Sequence, residues 1–402
     1  MDRLENTVRP YAWGSTTALP ELLGTPPTGE PQAELWMGAH PGAPSRVERA
    51  AGSTSLLAAV SADPEGELGE RTVRAFGPRL PFLLKLLAAA SPLSLQVHPD
   101  LTQAAEGYAD EEARDVPLDA PYRNYKDTNH KPELICALTP FDGLCGFRAA
   151  DDAAALLDGL DVGGLKPYVD ALHARPEGDA LREVLSAVLT ADRDEMAETV
   201  AEAAAAAERL ATENPAGPRA GEYAVYADIA RHYPGDPGVI AAMLLNYVHL
   251  RPGEALFLGA GVPHAYLDGL GVEIMANSDN VLRCGLTPKH VDVPELLRIV
   301  RFEPTEPAIL RPEADADGEE LYETPVDEFR LSRHVLAQGA GSRSLDGGVP
   351  QILLCTAGQV VLRDTDNGTE LTLDRGQSAF VPADERVHVS GAGTLFRATV
   401  AV

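Results

Sequence analysis

The sequence predicts a mainly β protein with an α-helical insertion. From residue 1 to about 147, short apolar runs alternate with turn residues, which is typical of strands. Between about 151 and 245, alanine- and leucine-rich segments have helical spacing. From about 321 to 402, apolar and polar residues alternate between glycine- and aspartate-containing turns. We therefore expect a β domain, a helical domain inserted into it and a second, smaller β domain.

The individual elements follow from apolar runs and from helix-forming composition. Strands are predicted where a short apolar run lies between turn residues, and helices where alanine and leucine recur with the helical period. A segment rich in Pro, Glu and Asp at 303–320 predicts an exposed connection. The predicted strands are 80–87, 93–98, 244–250 and 254–258, and the predicted helices are 153–160, 180–189, 194–210 and 293–300.

Two segments share one pattern, in which a glycine, a strand and a tight turn lead to a histidine. One runs from Gly253 to His264 and the other from Gly376 to His388. This layout is typical of cupin (jelly-roll) barrels, so two barrels are predicted. The second has no metal-type partners nearby, and we expect it to hold no metal. The predicted domains are 1–148 (first cupin barrel, first part), 149–243 (inserted helical domain), 244–305 (first barrel, second part) and 306–402 (C-terminal cupin-like domain).

The chain is strongly acidic, with 61 acidic and 33 basic residues and a formal net charge of -28. Such a surface repels nucleic acid and anionic lipid, so neither is an expected partner. The first residues contain no apolar signal core, and no apolar run is long enough to span a bilayer. The four cysteines are scattered, which fits a reducing compartment. We expect a cytoplasmic monomer.

Four side chains from three motifs predict a metal site. Gln96 and His98 are two residues apart on a predicted strand, so both point to the same face. Glu133 opens another apolar run, and His264 follows a glycine-rich turn. Two imidazoles, a carboxylate and an amide oxygen suit zinc, and also Mn, Co or Fe. Each motif alone is more often structural, but their joint occurrence favours a metal. The histidines interpreted as structural or exposed are His40, His173, His232, His249, His290, His334 and His388.

Three basic residues indicate an anionic ligand near that metal. Lys85 lies inside an apolar strand, so it forms either a buried ion pair or an anion contact. Arg283 and Lys289 are close in sequence, and both side chains bind phosphate. A small phosphate ester is the simplest substrate for such a set. No phosphate-binding loop precedes a helix, so the sequence does not indicate a nucleotide.

Five motifs in the N-terminal three quarters of the chain carry a family resemblance. They are YAWG at 11–14, LQVHPD at 95–100, NHKPE at 129–133, GVPHAY at 261–266 and, above all, NSDNVLRCGLTPK at 277–289. In this order and at this spacing, they closely resemble the motifs of the type I phosphomannose isomerases. The last motif is long enough to be highly specific.

The resemblance implies a zinc enzyme, with one zinc ion per chain, that interconverts mannose 6-phosphate and fructose 6-phosphate through a cis-enediol. It also implies a place in carbohydrate metabolism, such as the supply of GDP-mannose precursors. The zinc ligands carried over by position are Gln96, His98, Glu133 and His264. The catalytic candidates are Arg283, Lys131, His130, Glu273 and Asp279, and the substrate-binding candidates are Trp13, Lys85, Tyr266, Asn277 and Lys289.

Isomerisation moves a proton between C1 and C2 of the open-chain sugar, so it needs a base and a group that stabilises a developing oxyanion. Arg283 suits the oxyanion, because a guanidinium barely titrates. The base stays open among Lys131, Glu273, Asp279 and His130, with Lys131 a reasonable choice and His130 a candidate for ring opening.

Two other functions stay open when only the residues are considered. One is a different metal-dependent cupin enzyme, such as another sugar-phosphate isomerase or an oxygenase, although Gln96 suits a two-His-one-carboxylate iron site poorly. The other is a non-enzymatic sugar-binding or regulatory cupin, in which Arg283 and Lys131 would only bind an anion.

Overall fold

The computed structural model describes residues 1–49, 52–339 and 341–402. The strands are β1 (Asp2–Glu5), β2 (Thr7–Arg9), β3 (Glu34–Met37), β4 (Arg46–Arg49), β5 (Gly52–Ser55), β6 (Phe82–Ala89), β7 (Leu95–Val97), β8 (Glu133–Ala137), β9 (Phe141–Phe147), β10 (Leu245–Leu250), β11 (Ala255–Leu258), β12 (His264–Ala276), β13 (Leu282–Gly285), β14 (Ile309–Leu310), β15 (Glu319–Tyr322), β16 (Arg330–Leu336), β17 (Arg343–Ser344), β18 (Gln351–Asp364), β19 (Glu370–Asp374), β20 (Ser378–Val381) and β21 (Val387–Thr399). The helices are α1 (Ala18–Leu23), α2 (Leu56–Ala62), α3 (Pro64–Leu68), α4 (Glu70–Phe76), α5 (Leu101–Ala113), α6 (Ala150–Asp158), α7 (Lys166–Ala174), α8 (Glu177–Thr190), α9 (Arg193–Glu213), α10 (Ala220–His232), α11 (Gly238–Met243) and α12 (Val293–Ile299), with a short 3-10 turn at Gly163–Leu165.

The first sheet is built around the long strand β12. Its main path runs β14-β11-β8-β12-β6-β3-β2, and strands β7, β9, β10 and β13 join it through β12. The first half of β12 pairs with β7 and β9, and the second half pairs with β6 and β8. Every residue of β6 and β8 is buried, which explains why both strands are continuous apolar runs in the sequence.

The antiparallel register around β12 determines which side chains share a face. Glu273 pairs with Lys85 on β6, and Met275 pairs with Glu133 on β8. Directly paired residues and residues two apart lie on one face of a sheet. Lys85, Glu133 and Glu273 therefore lie on the same face, although they are far apart in the chain.

The second sheet joins the two ends of the chain. Its main path runs β15-β16-β21-β18-β20-β1-β4-β5, so three strands come from the N-terminal segment. The first of them, β1, pairs with β20 through Asp2 and Phe380. The predicted boundaries, which keep 1–148 together, do not anticipate this pairing. It depends on backbone hydrogen bonds, which leave no side-chain signature. The division into domains stays a prediction.

Helices α6–α11 form the insertion between β9 and β10 and share one apolar core. The longest, α9, buries Met196, Val200, Ala203 and Ala207, which recur every three or four residues along one face. Each of the four predicted helices has a counterpart, in α6, α8, α9 and α12. The alanine-rich composition is therefore a reliable helix signal here, because small side chains let the helices pack closely.

Several short elements differ from the sequence prediction. Helices α1–α5 occur in a region that was expected to be mostly strands. The 303–320 segment is not only a connection, because Ile309 and Leu310 form β14 and pair with β11. Two apolar residues within an acidic segment are too short a run to predict a strand. The two residues form a strand because β11 pairs with them.

The structure confirms the coarse prediction of a mainly β protein with an α-helical insertion, arranged as two antiparallel sheets. Whether the sheets form cupin barrels stays a prediction. In the part of the chain that the structure describes, no helix combines the length and the apolar character needed to cross a membrane.

A buried arginine links the two ends of the helical insertion by hydrogen bonds. Arg148 follows β9, and its guanidinium donates to the carbonyl of Leu245, where the chain returns at β10. It also donates to Asp152 of α6 at 2.7 Å and to Glu222 and Tyr226 of α10 at 2.7 and 2.8 Å. The two ends of the insertion and two of its helices thus depend on one side chain.

Replacement of this arginine should loosen the insertion. Arg148→Ala should lower the free energy of unfolding by about 3 kcal/mol, because two carboxylates and a carbonyl lose a buried partner. Arg148→Lys should cost less, since it keeps the charge. Urea unfolding monitored by circular dichroism measures both. A loss below about 0.5 kcal/mol, the usual effect of a surface substitution, would contradict this role.

Candidate metal centre and active site

A cavity of about 530 Å³ lies against the face of the first sheet that carries Lys85, Glu133 and Glu273. Its wall combines aromatic rings with charged groups of both signs. The aromatic residues are Tyr11, Trp13, Trp36, Tyr233 and Tyr266, and the charged residues are Glu34, Lys85, Lys131, Glu133, Glu273, Asp279, Arg283 and Lys289.

Three of the predicted metal ligands converge behind the cavity wall, to which Glu133 and the fourth ligand, Gln96, contribute. His98, Glu133 and His264 are each 2% exposed or less. The Nε2 atom of His98 lies 3.5 Å from one carboxylate oxygen of Glu133, and Nε2 of His264 lies 3.4 Å from the other. Their ligand atoms all lie within 4.8 Å of one another, a spacing that suits a single ion. The fourth, Gln96, places its amide 3.4 Å from Nε2 of His264.

The second nitrogen of each imidazole is already engaged. Nδ1 of His98 lies 2.7 Å from the carbonyl of Asn280, and Nδ1 of His264 lies 2.9 Å from the carbonyl of Val262. A carbonyl can only accept, so both Nδ1 atoms carry the proton and both Nε2 lone pairs face Glu133. This is the usual arrangement of metal-ligating histidines.

Two buried atoms at the centre of this group have no hydrogen-bond partner among the described residues, namely Nε2 of His98 and one carboxylate oxygen of Glu133. An unpaired buried polar atom is costly unless a ligand satisfies it. Burial also lowers the pKa of His98 to about 4, which keeps its imidazole neutral. The donor set, its geometry and its unpaired atoms therefore fit a zinc ion.

Lys131 compensates the charge of the ligand carboxylate. Its ammonium lies 3.1 Å from Glu133, and only 11% of its side chain is exposed. Burial would raise the pKa of Glu133, but the ammonium of Lys131 holds it well below its usual range. The carboxylate is therefore ionised, as a metal ligand must be.

Lys85 forms a buried ion pair. Its ammonium lies 2.9 Å from Glu273 and 3.8 Å from Glu34, and all three side chains are nearly inaccessible. Burial opposes its charge, yet these carboxylates raise the pKa of Lys85. Burial raises the pKa of Glu273, and Lys85 offsets part of that effect. Lys85 also borders the cavity, so the ion pair and an anion contact remain compatible.

Arg283 and Lys289 form the cationic side of the cavity. Burial lowers the pKa of Arg283, and no charged neighbour within the described ranges offsets the effect. Burial and the nearby Arg283 lower the pKa of Lys289. Neither side chain forms an ion pair with a carboxylate of the described residues, so both can bind an anion that enters the cavity.

His40, interpreted from the sequence as structural or exposed, borders the cavity. His40 is 6% exposed, and its Nε2 atom lies 3.5 Å from Asp279. The contact with His40 lowers the pKa of Asp279. The sequence carries no signal for this pair, since the two residues are more than 200 positions apart and His40 lies in none of the five motifs.

Two other candidates lie outside the cavity wall. The imidazole of His130 contacts Glu328 from the C-terminal segment. The amide of Asn277 donates to the carbonyls of Leu80 and Phe82, at 2.6 and 3.3 Å. Both residues belong to the motif loops, but these contacts hold loops and strands together.

The aromatic candidates lie where they were expected. Trp13 borders the cavity and stacks on Tyr11, with ring centroids 5.7 Å apart. Tyr266 is buried against Phe141, and burial raises its pKa well above the usual range. Among the charged and aromatic residues of the cavity wall, Glu34, Trp36 and Tyr233 were not predicted. A carboxylate beside tryptophan in the apolar run of β3 was the available signal for the first two.

Among curated proteins, mannose-6-phosphate isomerase from Salmonella typhimurium is 43% identical to this chain, and that from Escherichia coli is 42% identical; both alignments cover 99% of each protein. The human mannose-6-phosphate isomerase is 32% identical over 96% of this chain and 94% of its own length. The catalytic-domain model of phosphomannose isomerase type I matches residues 1–150. The chain belongs to the type I phosphomannose isomerase family.

Solved phosphomannose isomerase structures share the whole fold. A variant from Salmonella typhimurium superposes with a TM-score of 0.92 at 41% identity and full coverage of both chains. A zinc-bound mannose 6-phosphate isomerase superposes with a TM-score of 0.90 at 41% identity, covering 100% of this chain and 99% of its own. The family expected from the motifs is confirmed, and so is the expectation of an isomerase.

Asn280 connects the metal ligands to a buried loop. Its carbonyl accepts from His98, while its side-chain oxygen accepts from the backbone nitrogens of Lys126 and Asp127 at 2.7 and 3.2 Å. Its side-chain nitrogen donates to the carbonyls of Asp127 and Asn129, both at 2.8 Å. The side chain is fully buried. The position of the His98 imidazole therefore depends on this amide.

Removal of that amide should weaken metal binding. Asn280→Ala should lower zinc affinity at least about tenfold, because the backbone carbonyl that orients His98 loses the side-chain amide that holds it in place. Competition between the metal-free protein and a chromophoric chelator measures the affinity. Asn6→Ala is the matched control, since Asn6 links Ser45 and Ser378 in the second sheet. Equal zinc affinity in both variants would contradict the role of Asn280.

Proposed function

We propose that this chain interconverts mannose 6-phosphate and fructose 6-phosphate by zinc-dependent proton transfer through a cis-enediol. The observation that carries the proposal is a buried His98–Glu133–His264 cluster whose Glu133 borders the same cavity as Arg283. The relatives named mannose-6-phosphate isomerase supply the substrate. The enzyme names of these relatives also favour turnover over sugar binding alone.

His98, Glu133 and His264 would hold the ion, with Gln96 as the fourth ligand. Bound zinc supplies a Lewis acid that polarises an oxygen of the open-chain sugar. The protein's own contribution is to fix the ligands. The carbonyls of Asn280 and Val262 orient the imidazoles, and Lys131 keeps Glu133 ionised.

The substrate phosphate is assigned to the cationic side of the cavity. The chain carries a formal net charge of -28, so a dianionic sugar phosphate meets general repulsion outside. Arg283 and Lys289 oppose that repulsion locally, because both border the cavity and neither is engaged by a carboxylate of the described chain. The remaining hydroxyls of the sugar would pack against Trp13 and Tyr266.

Glu273 is the group best suited to carry the proton. Its pKa is raised by burial, which moves it towards the working range of a general base, whereas the pKa of Asp279 is lowered by His40. His130 is directed towards Glu328 rather than the cavity, which weakens its assignment to ring opening. Lys131 remains a second candidate, because it borders the cavity beside Glu133.

The finer predictions belong to this proposal as well. They comprise one zinc ion per chain, a monomer in the cytoplasm and cupin barrels for the two sheets. The domain boundaries after residues 148, 243 and 305 also remain part of it.

The proposal predicts that the zinc-loaded protein converts mannose 6-phosphate to fructose 6-phosphate and back. Chelation should abolish turnover and added zinc should restore it, because the unpaired atoms of His98 and Glu133 need the ion. A coupled assay for fructose 6-phosphate, together with metal analysis, measures both. Full activity in metal-free protein would end the zinc proposal, and the absence of turnover with zinc bound would end the isomerase proposal.

Arg283 provides a second test. Arg283→Ala should lower kcat at least about a hundredfold, because a preorganised donor to the developing oxyanion acts mainly in the transition state. Arg283→Lys should recover part of the loss, since it keeps the charge. Arg209→Ala, on the exposed side of α9, is the control and should match the wild type. A change in KM alone would limit Arg283 to its contact with the phosphate and contradict a role in the transition state.

A further inference from the structure

A turn of the helical insertion holds the loop that borders the cationic side of the cavity. Asp236 precedes α11, and its carboxylate accepts from the backbone nitrogens of Leu286 at 3.2 Å and Thr287 at 3.1 Å. One of its oxygens also accepts from Gly238 at 2.7 Å. A single side chain from the insertion thus holds two consecutive N–H groups of the loop.

The loop needs this support because its backbone is unusual. Leu286 has a φ of 53°, a conformation that costs a non-glycine residue free energy unless its surroundings hold it. The two chains also approach closely here. A Cβ atom on Gly238 would lie only 2.4 Å from the nitrogen of Leu286, and one on Gly285 would lie 2.5 Å from the Cα of Gly238. The backbone of the insertion therefore packs directly against the backbone of the loop, with no room for a side chain between them.

The loop carries the two cationic side chains to which the substrate phosphate is assigned. Arg283 lies two residues before Gly285, and Lys289 lies two residues after Thr287. Both side chains border the cavity, as do Leu286, Thr287 and Pro288 between them. A displacement of the loop therefore moves the two cations relative to each other and relative to the metal cluster.

We propose that Asp236 is a positioning residue for substrate binding, through which the helical insertion holds Arg283 and Lys289 at the spacing that a sugar phosphate requires. The inference rests on the proposed function only in the identity of the anion. Asp236 does not border the cavity itself, so it acts through the loop and not on the substrate. The insertion thereby has a role in recognition in addition to its own folding.

The two substitutions at this position should have graded effects. Asp236→Ala removes every acceptor and leaves the N–H groups of Leu286 and Thr287 unpaired. Asp236→Asn keeps one acceptor oxygen but turns its amide nitrogen towards one of the donors, so it should have a smaller effect. Asp192→Ala is the matched control. Its carboxylate accepts from the backbone nitrogens of Asp194 and Glu195 within the insertion and does not reach the loop.

The test uses the zinc-loaded full chain. Steady-state kinetics give kcat and KM for mannose 6-phosphate, and calorimetry gives the affinity for glucitol 6-phosphate, which binds as a sugar phosphate but cannot isomerise. Asp236→Ala should raise KM and weaken glucitol 6-phosphate binding about tenfold, as expected when a positioning hydrogen bond is lost, and it should also lower kcat, because Arg283 is displaced with the loop. Asp236→Asn should lie between Ala and wild type. Asp192→Ala should leave both quantities unchanged while lowering the melting temperature.

The outcomes separate this inference from the proposed function. If Asp236→Ala and Asp192→Ala lower the melting temperature alike and neither changes affinity, Asp236 is only structural and the inference is overturned. If the wild type binds glucitol 6-phosphate but does not isomerise mannose 6-phosphate, the proposed function fails, while a tenfold loss in Asp236→Ala still supports the inference. If Asp236→Ala does not fold, Asp236→Asn with unchanged affinity overturns it.

Discussion

The antiparallel pairing of β12 with four neighbouring strands is the constraint on which the site depends. The strand starts with His264 opposite Gln96 and continues to Glu273 opposite Lys85. A slip by one residue would reverse the face of every side chain on β12. The register is strongly specified, because the neighbouring strands β6 and β8 are completely buried. The burial of apolar side chains that sets the strand register therefore also sets the positions of the candidate metal ligands.

The second requirement is charge balance inside a strongly acidic protein. Each buried carboxylate beside the cavity has a cation within reach, as Glu133 has Lys131 and Glu273 has Lys85. Arg283 and Lys289 differ, because no carboxylate of the described chain offsets them. The cavity thus keeps a local cationic side despite the overall charge of -28. An anionic sugar can bind there without displacing an existing ion pair.

The sequence predicts which residue types form the site better than it predicts the contacts that hold those residues in place. Gln96 and His98 are recognisable because strand residues two apart share a face, and Glu133 and His264 lie in dense polar motifs. His40 was missed because its partner, Asp279, is brought close only by the fold. The role of Asn280 in orienting His98 depends on backbone carbonyls, which no residue pattern reveals. The pairing of β1 with β20 escapes prediction for the same reason.

The central claim is that His98, Glu133 and His264 hold one divalent ion in the cavity that Arg283 borders. The most direct measurement is anomalous diffraction at the zinc edge from crystals of the zinc-loaded protein. The account predicts one strong peak per chain, about 2.0–2.2 Å from both Nε2 atoms and from a carboxylate oxygen of Glu133. A peak at another place in the chain, or no peak in an active protein, would contradict it.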